Sequence, residues 1–235
     1  MQAGLLINHE TEMADYLLVR HNLYDLLRRL FIEEPTPELL TLLRDTEPSR
    51  LVGLAETLEH DIVDGLARMQ VALSGKTLTY GSPDFEDIHW DFTRLFIGPE
   101  TPSAPPWESC YVGEGLLFQD TTRCVEQYYR DYGFTLGGIE YEAADHVGFE
   151  LDFVFCMSSF SFGCTDELGA MHLDLDKIAA SIGVQLDFIR RHILVFVDEF
   201  GKKLVRHAGT QYYKQLGLFL PIFLRSDERR LARLA

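Results

Sequence analysis

Positive charge is scarce in this chain: 21 Lys and Arg stand against 37 Asp and Glu, a net charge of −16 at pH 7. That balance excludes non-specific binding to nucleic acid or to an anionic membrane surface, both of which need clustered cations. Long apolar runs are missing too. No stretch approaches the roughly 18 uninterrupted apolar residues of a membrane span. The start, Met1-Gln2-Ala3-Gly4-Leu5-Leu6, has no basic region ahead of its short apolar run, so it is not a secretory signal. Cysteine is limited to Cys110, Cys124, Cys156 and Cys164, with no Cys-x-x-Cys pair. Zinc-ribbon spacing is therefore excluded, and free thiols in a cytoplasmic protein are expected.

Catalytic signatures are absent as well. Gly75-Lys76-Thr77 ends like a phosphate-binding loop, but Gln70 stands where that motif needs glycine. There is no Gly-x-Ser-x-Gly elbow and no His-Glu-x-x-His pair. Asp145, His146 and Glu150 fall within about one helical turn, so a metal site is conceivable there, although it falls short of a full ligand set. The simpler reading is that Asp145 caps a helix and His146 faces a polar cleft. Asp84, Glu86, Asp87, His89 and Asp91 read as a solvated helix face, and His192 as a satisfied core or boundary histidine. No cofactor or metal is expected, and the chain reads as a binder rather than a catalyst.

What is present is helical pattern. Hydrophobic residues make up 46% of the chain, enough for a sizeable core. Apolar spacing predicts helices over 12–33, 39–43, 51–69, 116–132, 144–162, 189–204 and 210–230, the last containing Pro221. Ser49 and Thr165 are expected caps, the latter for a helix over 166–182. Ser82 caps a helix with Pro83 in its first turn and acids behind it, and Gly75 and Gly133 are stop signals. No strand alternation of useful length occurs. The expectation is an all-α fold of roughly nine to eleven helices in one domain, 1–235, with a proline-rich loop at 97–110 between its halves.

That loop is the most distinctive segment. Arg94-Leu95-Phe96-Ile97-Gly98-Pro99 leads to Ala104-Pro105-Pro106-Trp107-Glu108-Ser109-Cys110-Tyr111. Proline fixes φ and removes backbone donors, so the segment is stiff and cannot rejoin a helix. Phe96, Trp107 and Tyr111 on such a loop form a preformed apolar wall of the kind that carries binding residues.

Three elements together resemble the TorD/DmsD/NarJ family of redox-enzyme maturation chaperones, closest to its DmsD-like branch. They are the proline loop, the Asp145-His146 pair opening a long apolar helix, and Phe188 to Leu194 followed by Tyr212-Tyr213. The resemblance spans about 90–224. The chain departs from the family at Ala143-Ala144 before the pair, at Phe196 in place of a tryptophan, and at Glu108 where a small residue is common.

The resemblance implies an all-α cytoplasmic chaperone, not an enzyme. It would bind the twin-arginine signal peptide and the catalytic subunit of a molybdenum-cofactor oxidoreductase of the DMSO reductase family before export. Trp90, Phe96, Trp107 and Tyr111 would line the apolar wall, and Gly98, Pro99, Pro105 and Pro106 would shape it. Ser109 would offer a hydrogen bond, while Asp145 and His146 form the polar end, Asp145 facing an arginine. An acidic protein with an aromatic groove suits a basic, apolar peptide. The alternatives are a metal-dependent hydrolase built on Asp145, His146 and Glu150, or a NarJ-like assembly factor for a reductase subunit that is not exported. Monomer and domain-swapped dimer both stay open.

Overall fold

Proline and hydroxyl side chains set several helix starts. The computed structural model describes residues 2–51, 58–98, 101–113, 117–136, 142–159, 164–165, 171–172 and 175–235. The first helix, α1 (Gln2–Ile32), ends shortly before Pro35. Thr36 caps α2 (Pro37–Asp45) by accepting from the Leu39 amide at 3.2 Å, with Pro37 in the first turn. A four-residue turn, α3 (Pro48–Leu51), precedes α4 (His60–Leu73). Ser82 caps α5 (Pro83–Phe92) by accepting from the Phe85 amide at 3.4 Å. The helix then widens into a π turn at Thr93–Ile97. After the proline loop come α6 (Asp120–Asp131), α7 (Val147–Ser159), α8 (Leu175–Phe188), a second π turn (Ile189–Ile193), α9 (Leu194–His207) and α10 (Gln211–Leu234). Among the described residues the strands are a two-residue antiparallel pair, Cys164–Thr165 with Met171–His172.

The all-α expectation holds, with corrections. Helix α8 runs through the π turn into α9 without a break, where the sequence pattern suggested two separate helices. The described residues therefore hold eight continuous helical rods plus the α3 turn, fewer than the nine to eleven expected. Thr165 lies in the strand pair instead of capping a helix, and the following helix starts at Leu175. The stripe expected to run unbroken from 51 to 69 is interrupted, since Leu58 and Glu59 are not helical. Gly75 and Gly133 adopt φ of 71° and 67°, the left-handed conformation that ends a helix cheaply at glycine. Helix α10 continues through Pro221 to Leu234.

Helix α7 is buried on nearly every side and packs against α1, while α10 packs against α9 and α4. Segments before and after the proline loop thus share one apolar core. The α9–α10 crossing is close: a Cβ on Gly217 would lie 2.6 Å from Leu204 Cβ and 2.9 Å from the Gly201 carbonyl oxygen. A buried polar knot ties the ends together. Asp227 on α10 accepts from Arg20 Nε at 2.7 Å, from Tyr16 at 2.5 Å and from Tyr24 at 2.8 Å, while Arg20 Nη1 donates to Gln185 on α8 at 2.5 Å. An arginine wholly removed from water needs this charge partner to be tolerated at all.

Candidate functional site

The loop opens where Gly98 closes the first π turn at φ 60°, its amide donating to the Thr93 carbonyl at 2.6 Å. Pro99 lies outside the described residues. Ala104, Pro105 and Pro106 are buried. Because prolines have no N–H, their carbonyls do the anchoring. The Tyr111 hydroxyl donates to the Pro105 carbonyl at 2.8 Å and the Val147 amide to the Pro106 carbonyl at 2.7 Å. Trp107 forms an isolated bridge with His146. A short 3-10 turn, Glu108–Cys110, follows, and the Glu108 amide donates to the Asp145 carbonyl at 2.9 Å. Residues 106–108 are therefore stitched to the turn that starts α7.

Asp145 is the centre of that stitching. It is wholly buried, one carboxylate oxygen accepting from the Ser109 amide and the other from the Thr122 hydroxyl, both at 2.8 Å. Expected to face an arginine, it is instead satisfied by the protein's own donors. His146, expected to face a cleft, caps α7: its Nδ1 accepts from the Gly148 amide at 3.0 Å and its carbonyl accepts from Phe149 and Glu150. Burial lowers the His146 pKa to about 3, so the ring is neutral. Glu150 is enclosed in the core. Asp145 and His146 thus spend their side chains on the protein's own donors, and Glu150 is closed off from solvent. Among the described residues no group of three or more His, Cys, Asp and Glu could hold a metal ion.

The expected aromatic wall divides. Phe96 is 4% exposed and sits edge-on to Phe31, Phe92 and Tyr213, with ring centroids 5.1–5.8 Å apart, so it belongs to the core. Trp90 is 64% exposed and borders a different cleft of about 510 Å³ with Asp87, Asp91, Arg94, Gly209 and Thr210. Tyr111 lies half-buried against Phe196, with Lys203 Nζ 4.4 Å above its ring, a favourable cation–π geometry. Trp107 is half-buried and donates its indole N–H to Glu142 at 2.7 Å. Ser109 is buried and its hydroxyl has no partner among the described residues. Trp107, Ser109, Tyr111, Pro105, Pro106, Asp145 and His146 are thus brought together, while Trp90 and Phe96 stand apart.

Several participants escaped the sequence reading. Thr122 and Glu142 carry no motif of their own. Glu108 is visible only as an acid where a small residue is common. Buried itself, it holds His192 Nδ1 at 3.0 Å from Oε2, and burial raises its pKa while the bond to His192 opposes that rise. His192 is accordingly the satisfied core histidine expected. Asp91, read as part of a solvated face, is 4% exposed and accepts from the Gly209 and Thr210 amides, fastening α5 to the α9–α10 turn.

The sequence model of the family described as nitrate reductase delta subunit matches residues 59–202. The chaperone protein TorD of Vibrio atlanticus (strain LGP32) is 27% identical over 220 residues, covering 91% of this chain and 94% of the relative. TorD of Aliivibrio fischeri (strain ATCC 700601 / ES114) is 27% identical over 225 residues, covering 94% and 98%. The Tat proofreading chaperone DmsD of Salmonella paratyphi A (strain ATCC 9150 / SARB42) is 24% identical over 147 residues, covering 62% and 63%.

Proposed function

Because the chain belongs to the nitrate reductase delta subunit family, the TorD/DmsD/NarJ redox-enzyme maturation chaperones, we propose that it binds the twin-arginine signal peptide of a molybdenum-cofactor oxidoreductase of the DMSO reductase family. It holds that precursor in the cytoplasm until the enzyme is mature. The observation that carries this reading is the loop fastened to the Asp145–His146 turn with Trp107 half-buried and its indole on the Glu142 carboxylate. A signal peptide brings an arginine pair followed by an apolar run. The fixed wall of Pro105, Pro106, Trp107 and Tyr111 buries the apolar run, and its rigidity lowers the ordering cost of binding. In this reading Glu142 meets an arginine, because Asp145 is occupied. Gly98 sets the approach of the loop, and Asp145, His146 and Ser109 hold its shape.

Isothermal titration with a molybdoenzyme signal peptide and its twin-lysine counterpart tests this. Guanidinium pairs with a carboxylate in a fixed fork that an ammonium cannot reproduce, so the twin-lysine peptide is expected to bind at least about tenfold more weakly. Glu142→Gln should narrow that difference. Equal binding of both peptides refutes arginine recognition. The description of the matched family names a nitrate reductase subunit, and the second reading is an assembly factor for a reductase subunit that is not exported. No binding to either peptide, with binding to a leaderless reductase subunit, establishes it.

A further inference from the structure

Four titratable side chains from separate parts of the chain meet beneath the proline loop. They are Glu108 on the 3-10 turn, Asp145 before α7, Glu150 on α7 and His192 in the second π turn, and all are buried. Three have partners. His192 Nδ1 lies 3.0 Å from Glu108 Oε2, and Asp145 accepts from Ser109 and Thr122. Glu150 differs: it is 0% exposed, and among the described residues neither of its oxygens meets an N–H or O–H donor.

An ionised carboxylate in that position would be a buried charge with nothing to stabilise it. A protonated one has a use, since its O–H can donate to the Glu108 carboxylate. Burial is the main force that keeps Glu150 protonated, and the negative charges of Glu108 and then Asp145 add to it. The other groups nearby do not replace that proton. Tyr129 on α6 spends its hydroxyl on the Ala144 carbonyl at 2.9 Å. Asp152, further along α7, lies 3.3 Å from Arg28 on α1. Tyr128 places its ring edge against His192 and its hydroxyl on Asp187 of α8, which also holds Arg191.

We propose that Glu108 and Glu150 form a proton-binding site that holds the proline loop down, so that ionisation of Glu150 loosens the loop. The element that yields is the loop, because Glu108 rides on a three-residue turn whereas Glu150 sits on a buried helix. This deepens the reading of the loop as the peptide site, but its tests contain no peptide. Failure of peptide binding therefore leaves them untouched.

The folded chain keeps the Glu150 proton above 4.5, the ordinary value at which the unfolded chain loses it. Stability must then fall as pH rises above 4.5, because the folded state binds one proton more. Glu150→Gln offers Glu108 an amide N–H that cannot titrate. Denaturant unfolding across pH should give a ratio of unfolding constants, wild type over Glu150→Gln, that climbs about tenfold per pH unit until Glu150 ionises in the folded protein. A flat ratio overturns the proposal. The infrared difference between the two proteins just above pH 4.5 should show the carbonyl band of a protonated carboxyl, and its absence overturns the proposal whatever the stability of the variant. With Trp90→Phe as background, Trp107 is the remaining tryptophan. Its emission should shift as pH rises and stop shifting in Glu150→Gln. Emission that moves identically in both removes the loop from the mechanism.

Discussion

Asp145→Ala separates an architectural carboxylate from a ligand-facing one. The substitution strips partners from two buried donors, the Ser109 amide and the Thr122 hydroxyl, each held at 2.8 Å. Leaving one buried donor unsatisfied costs about 1–3 kcal/mol, so the pair amounts to about 2–6 kcal/mol. The backbone bond from Glu108 to the Asp145 carbonyl survives, which argues for the middle of that range, about 4 kcal/mol. For a chain of this length that lowers Tm by roughly 8–16 °C. Circular dichroism during urea and thermal unfolding measures it. Thr122→Ala alone should cost about 1 kcal/mol, and the double variant less than the sum, because both substitutions break the same bond. Asp145→Ala with stability intact to within about 0.5 kcal/mol, but with peptide binding abolished, would refute the reasoning and return Asp145 to the arginine.

Three further substitutions probe other parts of the molecule. Asp227→Ala leaves the wholly buried Arg20 without its counter-ion and should cost about 3–5 kcal/mol in denaturant unfolding; a loss below about 1 kcal/mol would mean the knot is hydrated. Gly217→Ala forces a methyl group against Leu204 and the Gly201 carbonyl and should destabilise by about 1–3 kcal/mol; an unchanged Tm would show that α9 and α10 can slide apart. His146 stays neutral in the folded chain down to about pH 3, against an ordinary 6.5. The unfolded chain therefore binds the extra proton on acidification, and stability should fall as pH drops below 6.5. His146→Asn keeps a cap for the Gly148 amide and should lose that acid dependence, and a titration curve parallel to wild type would show that other groups govern it.

The fold class and several boundaries were legible because they rest on local chemistry. Ser82 with Pro83, Gly75 and Gly133 each act within a few residues of themselves, and the structure uses them as their types suggest. The site was legible only as a set of residues, not as a set of roles. Phe96 and Trp90 look alike in sequence, six residues apart on one helical segment. The π turn that follows Phe92 adds a residue to the helical turn, and a pattern read at 3.6 residues per turn cannot anticipate which aromatic it drives into the core. Asp145 misled for a different reason. Its partners are 36 and 23 residues away, and no local spacing encodes that distance.

The same reasoning explains why so many polar groups lie under a loop that has prolines to stiffen it. Proline sets the path of its own backbone but donates nothing, so the loop cannot join a helix or a sheet ladder. Its register against α7 must come from elsewhere. Here it comes from the Pro105 and Pro106 carbonyls, the Glu108 and Ser109 amides, and two buried carboxyls, Asp145 and Glu108. Apolar packing alone would bury the segment without choosing among neighbouring positions, whereas hydrogen bonds to buried charges admit one. Fixing the loop this way makes it sensitive to the protonation of what lies beneath. The residue that breaks the pattern is Glu150, whose oxygens meet no N–H or O–H donor among the described residues and whose own proton, in the proposal above, supplies the bond to Glu108.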